Sequence, residues 1–330
     1  MVASRATHPW VAEGQHSIRF AIVGGFIREW SQTLEFVQQA EELEFDAYWA
    51  NDHPLRSMDC WSTLTALAMA TRKIRLLSLV SCIYYRSPVL LARLAADVDR
   101  VSNGRLILGV GIGDDTHEFA QMHIPLPPAR ERQEALEETI QIVRGLWDQA
   151  PFTFSGKYFQ VAEAPFAPRP VQQPHVPILI AGGGERTTLR QVAQYADMSN
   201  FGPHEWTGGA FDLADVQRKL AVLRQHCARI GKPYEAVLRS HYSPLLVLAQ
   251  TRAALESKRD SIRIPDRQLH TLPLFATVDE AIVHYQALID AGMQYFLATI
   301  NGHDLETMRL LAEQVRPALR PAREPSGEDV

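Results

Sequence analysis

Eight short apolar runs alternate with helix-like segments along this 330-residue chain, and that alternation limits the possible folds more than any other property of the sequence. The runs cover residues 18–23, 46–50, 74–83, 105–111, 176–181, 197–201, 237–249 and 294–300. The third is continuously apolar, the pattern of a strand buried on both faces. The segments between them repeat apolar residues every three to four positions. Examples are Leu34, Val37, Ala40 and Leu43 after a Ser31 cap; Leu64, Leu67 and Ala68 after an Asp59 cap; and Leu91, Leu94, Ala95 and Val98 after Ser87-Pro88, with Asn103-Gly104 as the stop. Further helices are predicted over 132–147, 187–195, 212–230, 278–291 and 305–319. Strand-helix alternation specifies a parallel sheet, and eight repeats in this length specify a closed (β/α)8 barrel, an α/β TIM barrel.

No internal repeat or linker divides the chain. We read 1–17 as an N-terminal extension, 18–319 as one barrel domain and 320–330 as a loose polar tail. Residues 152–161 read as a small β excursion turning at Ser155-Gly156, and the proline-rich stretch 165–177 as a connector. Residues 252–272 read as an insertion after strand seven. The formal net charge of -5 and the lack of a basic stripe argue against a nucleic-acid partner. No apolar run is long enough to span a membrane, and residues 1–15 carry no apolar secretory core. Cys60, Cys82 and Cys227 lack disulfide or metal spacing, so a cytoplasmic location is expected and no metal is assigned.

Barrels of this kind carry their chemistry where the strands end. Five strand ends here are glycine-rich or polar. Gly182, Gly183 and Gly184, followed by Arg186, lie between a strand and a helix start, where close backbone approach and unpaired N–H groups suit a phosphate. A tight turn without ligand is the plainer alternative. Gly109, Gly111 and Gly113 thin the backbone enough for a flat ring to lie across the mouth, or serve close interior packing. Asp114, Asp115 and Glu118 follow, as ligand acceptors or as an acidic first helical turn. Asp52-His53 before Pro54 is the best proton-transfer candidate, with an Asp-capped turn as its alternative. Ser81, Cys82 and Ile83 end strand three. No activating group is visible beside Cys82, so a packed thiol is expected. His123, His241 and His303 fall near strand or loop positions, where a structural role is the default.

Several ordered motifs together resemble the bacterial-luciferase-like flavin and deazaflavin oxidoreductases, most closely the branch using coenzyme F420. They are Phe45-Asp46-Ala47-Tyr48-Trp49 with Asp52-His53, Thr71-Arg72-Lys73-Ile74-Arg75-Leu76, Tyr85-Arg86-Ser87-Pro88, Val101-Ser102-Asn103-Gly104-Arg105, Phe154-Ser155-Gly156-Lys157-Tyr158-Phe159, Pro168-Arg169-Pro170, Ile180-Ala181-Gly182-Gly183-Gly184 and Tyr195-Ala196-Asp197. The resemblance implies a (β/α)8 barrel with an insertion after strand seven and a homodimer. It implies a ring system across the strand ends, backed by a non-prolyl cis peptide or bulge near Cys82-Ile83; from the residues themselves we expect Ser81, Cys82, Ile83, Gly111, Gly113 and Asp114 around it. It carries phosphate contacts to Gly182, Gly183 and Gly184, with Arg186 beside them. His53 would supply or remove a proton and Asp52 would orient it. The first expectation is F420-dependent hydride transfer between the deazaflavin and a small organic substrate, at a C=C, a C=N or an alcohol/carbonyl carbon. The second is an FMN-dependent monooxygenase fed by a flavin reductase, and the third a non-catalytic flavin-binding relative. An acidic F420 tail would favour a basic outer groove, for which Arg28, Arg56, Arg86 and Arg186 are the candidates. The chain departs from the family pattern at Asp114-Asp115-Thr116-His117-Glu118, at His123 and at Ile83.

Overall fold

The computed structural model of the chain describes residues 7–322 apart from 26, 28, 205–208 and 263–272. Eight parallel strands close on themselves: β1 (Arg19–Gly25), β2 (Ala47–Ala50), β3 (Arg75–Ser78), β4 (Leu106–Gly111), β5 (Ile178–Ala181), β6 (Met198–Phe201), β7 (Leu238–Ala249) and β8 (Tyr295–Asn301). Each pairs with the next, and β8 returns to β1 in a register running from Arg19 opposite Tyr295 to Gly25 opposite Asn301. The (β/α)8 barrel is therefore confirmed. Alternation along each strand sends one set of side chains inward and the other toward the helices. Ala21, Ala47, Trp49, Leu77, Ile107, Leu179, Met198 and Leu297 fill the interior. A larger apolar layer, including Phe20, Ile22, Leu64, Leu76 and Leu108, binds the sheet to its helices.

Several element ends differ from expectation. Strand three stops at Ser78 and resumes only as Ser81–Cys82, beside Val110 and Gly111 of β4. The apolar run concealed this break because its residues are buried on both sides of it. The helix expected to start at Ser31 is Trp30–Glu42, so Ser31 lies inside it and caps nothing. Asp59, Ser87 and Asp212 do cap their helices, accepting from Ser62, Leu90 and Asp215 N–H groups. A helix at Thr116–Gln121 and a strand at Leu274–Thr277, parallel to the end of β7, were too short to read. Register shifts on β7 between Ser243 and Leu245, where Pro244 has no N–H to give. Of the insertion, Arg252–Ser261 is helical, Ile262 ends that helix, and residues 263–272 lie outside the described residues. The last helix is divided into Leu305–Leu310, a π turn at Leu311–Val315 and Arg316–Ala318.

The N-terminal stretch forms part of the barrel floor. Helix Pro9–Gly14 places buried Trp10 and Val11 in the interior cluster, with Trp10 edge-on to Tyr295 at 5.8 Å. His8 caps this helix: its Nδ1 accepts from Trp10 N–H (3.1 Å) and its Nε2 lies 3.0 Å from the His175 carbonyl. That arrangement uses the neutral ring completely. Burial pushes His8 down to about 4, and pushes the fully buried His241 of β7 down to about 3. The unfolded chain takes up these protons near pH 6.5 and the folded chain does not, so stability falls as pH drops from about 6.5 toward 4. His241 alone withdraws about 2 kcal/mol by pH 5. Urea unfolding at pH 7 and pH 5 will show a lower midpoint at pH 5. His241→Phe should remove part of that difference, and equal midpoints in the native chain would refute the assignment.

Candidate active site

A cavity of about 590 Å³ opens at the carboxyl ends of the strands. Its floor and walls are Trp49, Leu79, Val80, Phe201 and Tyr242, with Asn51, Asp52, His53, Cys82 and the glycines after β4 and β5 around the mouth. The Trp49, Tyr242 and His204 rings follow one another along one wall, with centroids 6.1 and 4.6 Å apart. Burial lowers His204 to about 4, so it is neutral at pH 7. Trp49 Nε1 is buried and has no hydrogen-bond partner among the described residues.

His53 follows β2 in a turn whose backbone carbonyl accepts from Arg56 and Ser57 N–H groups. Its Nδ1 lies 2.6 Å from Glu118 Oε2. Glu118 is fully buried, and its other oxygen accepts from Leu55 N–H at 3.2 Å, while the Tyr85 hydroxyl donates to Oε2 at 3.4 Å. Burial pushes the Tyr85 phenol up, which keeps it a donor. Helix Thr116–Gln121 aims Glu118 inward because Asp115 caps it, accepting from His117 and Glu118 N–H groups; Asp115 also pairs with Arg56. A carboxylate on Nδ1 fixes the imidazole as the Nδ1–H tautomer and leaves Nε2 as a proton acceptor. His53, Asp115 and Glu118 bring potential ligand atoms within 4.8 Å of one another, but these contacts already engage their carboxylates.

The expectation that Asp52 orients His53 does not hold. Asp52 is turned away and accepts from Arg86 Nη1 (2.5 Å) and Nη2 (3.1 Å), Ser81 Oγ (3.2 Å) and Cys82 N–H (3.1 Å). The sequence neighbour lost to a partner 65 positions away, and sequence showed Glu118 only as one acid in a cluster. Ser81 is buried beneath the site, holding Asp52 and receiving Trp61 Nε1–H, and Ile83 faces the helix layer, so neither lines the cavity. The non-prolyl cis peptide joins Leu79 to Val80, three residues before the expected position, in the break where strand three leaves the sheet. Cys82 does line the cavity; burial pushes its thiol up to about 12, which agrees with a packed, unreactive group. Gly109 permits the close approach of β3 and β4, since a Cβ there would meet the Ser78 carbonyl oxygen at 2.0 Å. Gly111, Gly113 and Asp114 line the mouth.

After β5, Gly182 takes φ +121°, a backbone state that favours glycine. Its N–H donates to Asn200, and Lys219 Nζ donates to the Gly183 carbonyl at 2.8 Å. Among the described residues, the N–H groups of Gly183, Gly184, Glu185 and Arg186 donate to no protein acceptor. Gly182 and Gly184 line the cavity. Gly183 and Arg186 line instead an adjoining groove of about 660 Å³ that shares Ala129, Gln133, Gly184 and Thr188 with it. The groove is not the basic channel expected. Arg130 pairs with Glu134 and Arg190 with Glu137, and Lys219 lies 3.7 Å from Glu185. Of the four candidate arginines only Arg186 is on it; Arg56 pairs with Asp115, Arg86 pairs with Asp52 and Asp59, and Arg28 lies outside the described residues.

The luciferase-like monooxygenase family matches residues 6–315. The chain belongs to that family. It is an enzyme of the oxidoreductase class. Among its relatives, an F420-dependent glucose-6-phosphate dehydrogenase of Amycolatopsis mediterranei is 27% identical over 87% of this chain and 94% of its own length. The pyrimidine monooxygenase RutA of Allorhizobium ampelinum is 29% identical over 55% of this chain and 47% of its own. The fold is shared with the coenzyme F420-dependent tetrahydromethanopterin reductase of Methanopyrus kandleri (TM-score 0.76, 17% identity, 92% of this chain and 100% of that one). An F420-dependent secondary alcohol dehydrogenase also shares it (TM-score 0.76, 20% identity, 92% and 99%). No helix among the described residues is long and apolar enough to cross a membrane.

Proposed function

We propose that this chain is a coenzyme F420-dependent oxidoreductase that transfers hydride between the deazaflavin and the carbon of a small alcohol or carbonyl compound. The carrying observation is His53: its Nδ1 is locked on buried Glu118 and, among the described residues, its Nε2 makes no hydrogen bond at the mouth of the cavity. An alcohol oxidation needs a base for the hydroxyl proton, and the reverse reaction needs an acid at the same atom. The full-length relatives named as F420-dependent support the choice of cofactor.

The residues present fit the group. The unpaired N–H groups of Gly183 to Arg186 lie at the start of helix Thr188–Tyr195, where a phosphate is favoured, and the unpartnered Trp49 Nε1–H supplies a buried donor for a ring carbonyl. When bound, F420 supplies a ring carbon that accepts or returns hydride. In the oxidising direction His53 Nε2 would take the proton of the substrate hydroxyl, and in the reverse direction it would return a proton to the same oxygen. Glu118 keeps the imidazole in the required tautomer and favours the imidazolium that forms, while Leu55 N–H and Tyr85 hold Glu118. Trp49, Val80, Phe201 and Tyr242 limit water.

Separate fluorescence titrations with F420 and FMN test the reading, followed by a series of alcohols added to the F420 complex. We expect tighter binding of F420 than FMN and bleaching of F420 by at least one alcohol. Tight FMN binding with weak F420 binding would replace this reading with the reduced-flavin monooxygenase.

A further inference from the structure

The barrel interior is filled by apolar side chains, and two inward positions near the mouth break that pattern. Asn200 of β6 lies opposite Ser240 of β7, in the register that pairs Met198 with Leu238 two residues below. Met198 and Leu238 belong to the interior cluster, so alternation sends Asn200 and Ser240 to the same inward face. Both are buried, Asn200 at 6% exposure, and Asn200 lines the cavity. Their hydrogen bonds run in one direction. Ser240 Oγ lies 2.6 Å from the Ser199 carbonyl, which has no proton to give, so the hydroxyl donates there. Toward Asn200 the same oxygen can only accept. The amide therefore turns Nδ2 to Ser240, at 3.0 Å, and presents Oδ1 to the cavity. Among the described residues, Oδ1 accepts no hydrogen bond.

A fixed acceptor in a cavity sorts ligands. Once a ligand excludes water, an acceptor that meets a donor gains a bond, and one that meets another acceptor or an anion loses. The surrounding wall adds a second preference. Tyr242 follows Ser240 by two positions on the same face, and the Trp49, Tyr242 and His204 rings offer flat apolar surface there. Because His204 is neutral at pH 7, Asn200, Phe201, Gly202, His204 and Tyr242 form an uncharged face. The guanidinium of the cavity stands on the β4 side, where Arg132 of helix Ala129–Asp148 donates to the Ile112 carbonyl at 3.2 Å. Resting on the proposed function, we infer that Asn200 Oδ1, held in orientation by Ser240, is a specificity-determining acceptor for the substrate. The substrate is then an uncharged aromatic alcohol, or its ketone, that carries a second hydrogen-bond donor. His53 Nε2 meets the reacting hydroxyl and Asn200 Oδ1 meets the other donor.

Binding of ketone products tests this without turnover. Hydroxy-, methoxy- and unsubstituted acetophenones, in meta and para series, are titrated by calorimetry into the F420-loaded native chain, Asn200→Leu and Ser240→Ala. In the native chain we expect the better hydroxy isomer to bind about 10-fold tighter than its methoxy counterpart. Asn200→Leu should erase that ratio and leave acetophenone itself within about threefold of its native affinity. Ser240→Ala frees the amide to turn, so methoxy binding should improve and the hydroxy preference should shrink to about twofold or less. F420 affinity, read by fluorescence, should stay unchanged in both variants. No binding of any acetophenone, no hydroxy preference in the native chain, or an equal loss of all three ligands in Asn200→Leu would overturn the inference. An Asn200→Leu chain that binds F420 weakly but keeps the hydroxy ratio would give the acceptor to a hydroxyl of the cofactor's side chain, and would overturn it too. A native ratio in Ser240→Ala would overturn the orienting role of Ser240. If the native chain binds FMN and not F420, it is the proposed function that fails, and the same ratios on the FMN-loaded chain still decide the role of Asn200.

Discussion

His53→Ala lowers turnover by about 10²- to 10⁴-fold while F420 affinity stays within about a factor of two. The basis is the separation of tasks in the site. His53 offers one nitrogen to Glu118 and the other to the cavity, whereas the glycine loop that would hold the phosphate lies after β5 and shares no hydrogen bond with it. Removing the imidazole deletes a proton acceptor without opening the barrel, because His53 is part-exposed and its side chain packs no core. Glu118→Gln separates proton transfer from simple positioning. The glutamine side chain still fills the space, but it exchanges a charge for an amide that can present N–H to Nδ1. In that geometry the ring carries its proton on Nε2 and loses its base. The variant should fall about 10- to 1000-fold in the alcohol-oxidising direction and shift the pH-rate profile, with cofactor affinity unchanged. Steady-state rates and fluorescence titrations on the same preparations decide it. Native turnover in His53→Ala would remove the proton role, and an unchanged pH profile in Glu118→Gln would reduce Glu118 to packing.

The barrel was legible in the sequence because period and length together leave few alternatives: eight apolar runs, each followed by a helix, close in only one common way. The site was legible only in part. Glycines after β4 and β5 are conspicuous because only backbone needs explain them, and Gly111, Gly113, Gly182 and Gly184 do line the cavity. Partner choice was not legible. Asp52 and His53 are adjacent, yet consecutive side chains leave the backbone in different directions, one toward Arg86 and the other toward Glu118. Arg132 escaped notice for another reason. In a helix of alternating charge it looks like one more surface residue, and only the closing of β4 beside β5 places it in the cavity. Trp10 likewise belonged to an apparent extension until Tyr295 of β8 gave it a partner. In each case the missing information was a long-range contact, which no local pattern encodes.

Asp52→Ala destabilises the fold by about 3–5 kcal/mol, the range for stripping one partner from a buried ion pair. Asp52 is 4% exposed and holds four donors from three places: both Arg86 terminal nitrogens, the Ser81 hydroxyl and the Cys82 N–H. Those donors fix the short Ser81–Cys82 strand where strand three resumes beside β4 after the break at Leu79-Val80. Without the carboxylate, the Ser81 hydroxyl and Cys82 N–H lose an acceptor in a dry environment, and Arg86 keeps only Asp59. Asp59 itself is the contrasting case. It is exposed, so its ion pair with Arg86 is worth at most about 1 kcal/mol, and its helix cap about 1 kcal/mol more. Urea unfolding of Asp52→Ala, Asp52→Asn and Asp59→Ala should therefore rank them with the two Asp52 variants well below Asp59→Ala. The same variants test the assignment of roles. If Asp52 acted on the proton, Asp52→Asn would keep its stability and lose its rate. We expect the reverse: a lower unfolding midpoint, and a pH-rate profile in the folded fraction with the same inflection as the native enzyme. A stable, slow Asp52→Asn would return Asp52 to the chemistry and leave Glu118 a secondary part.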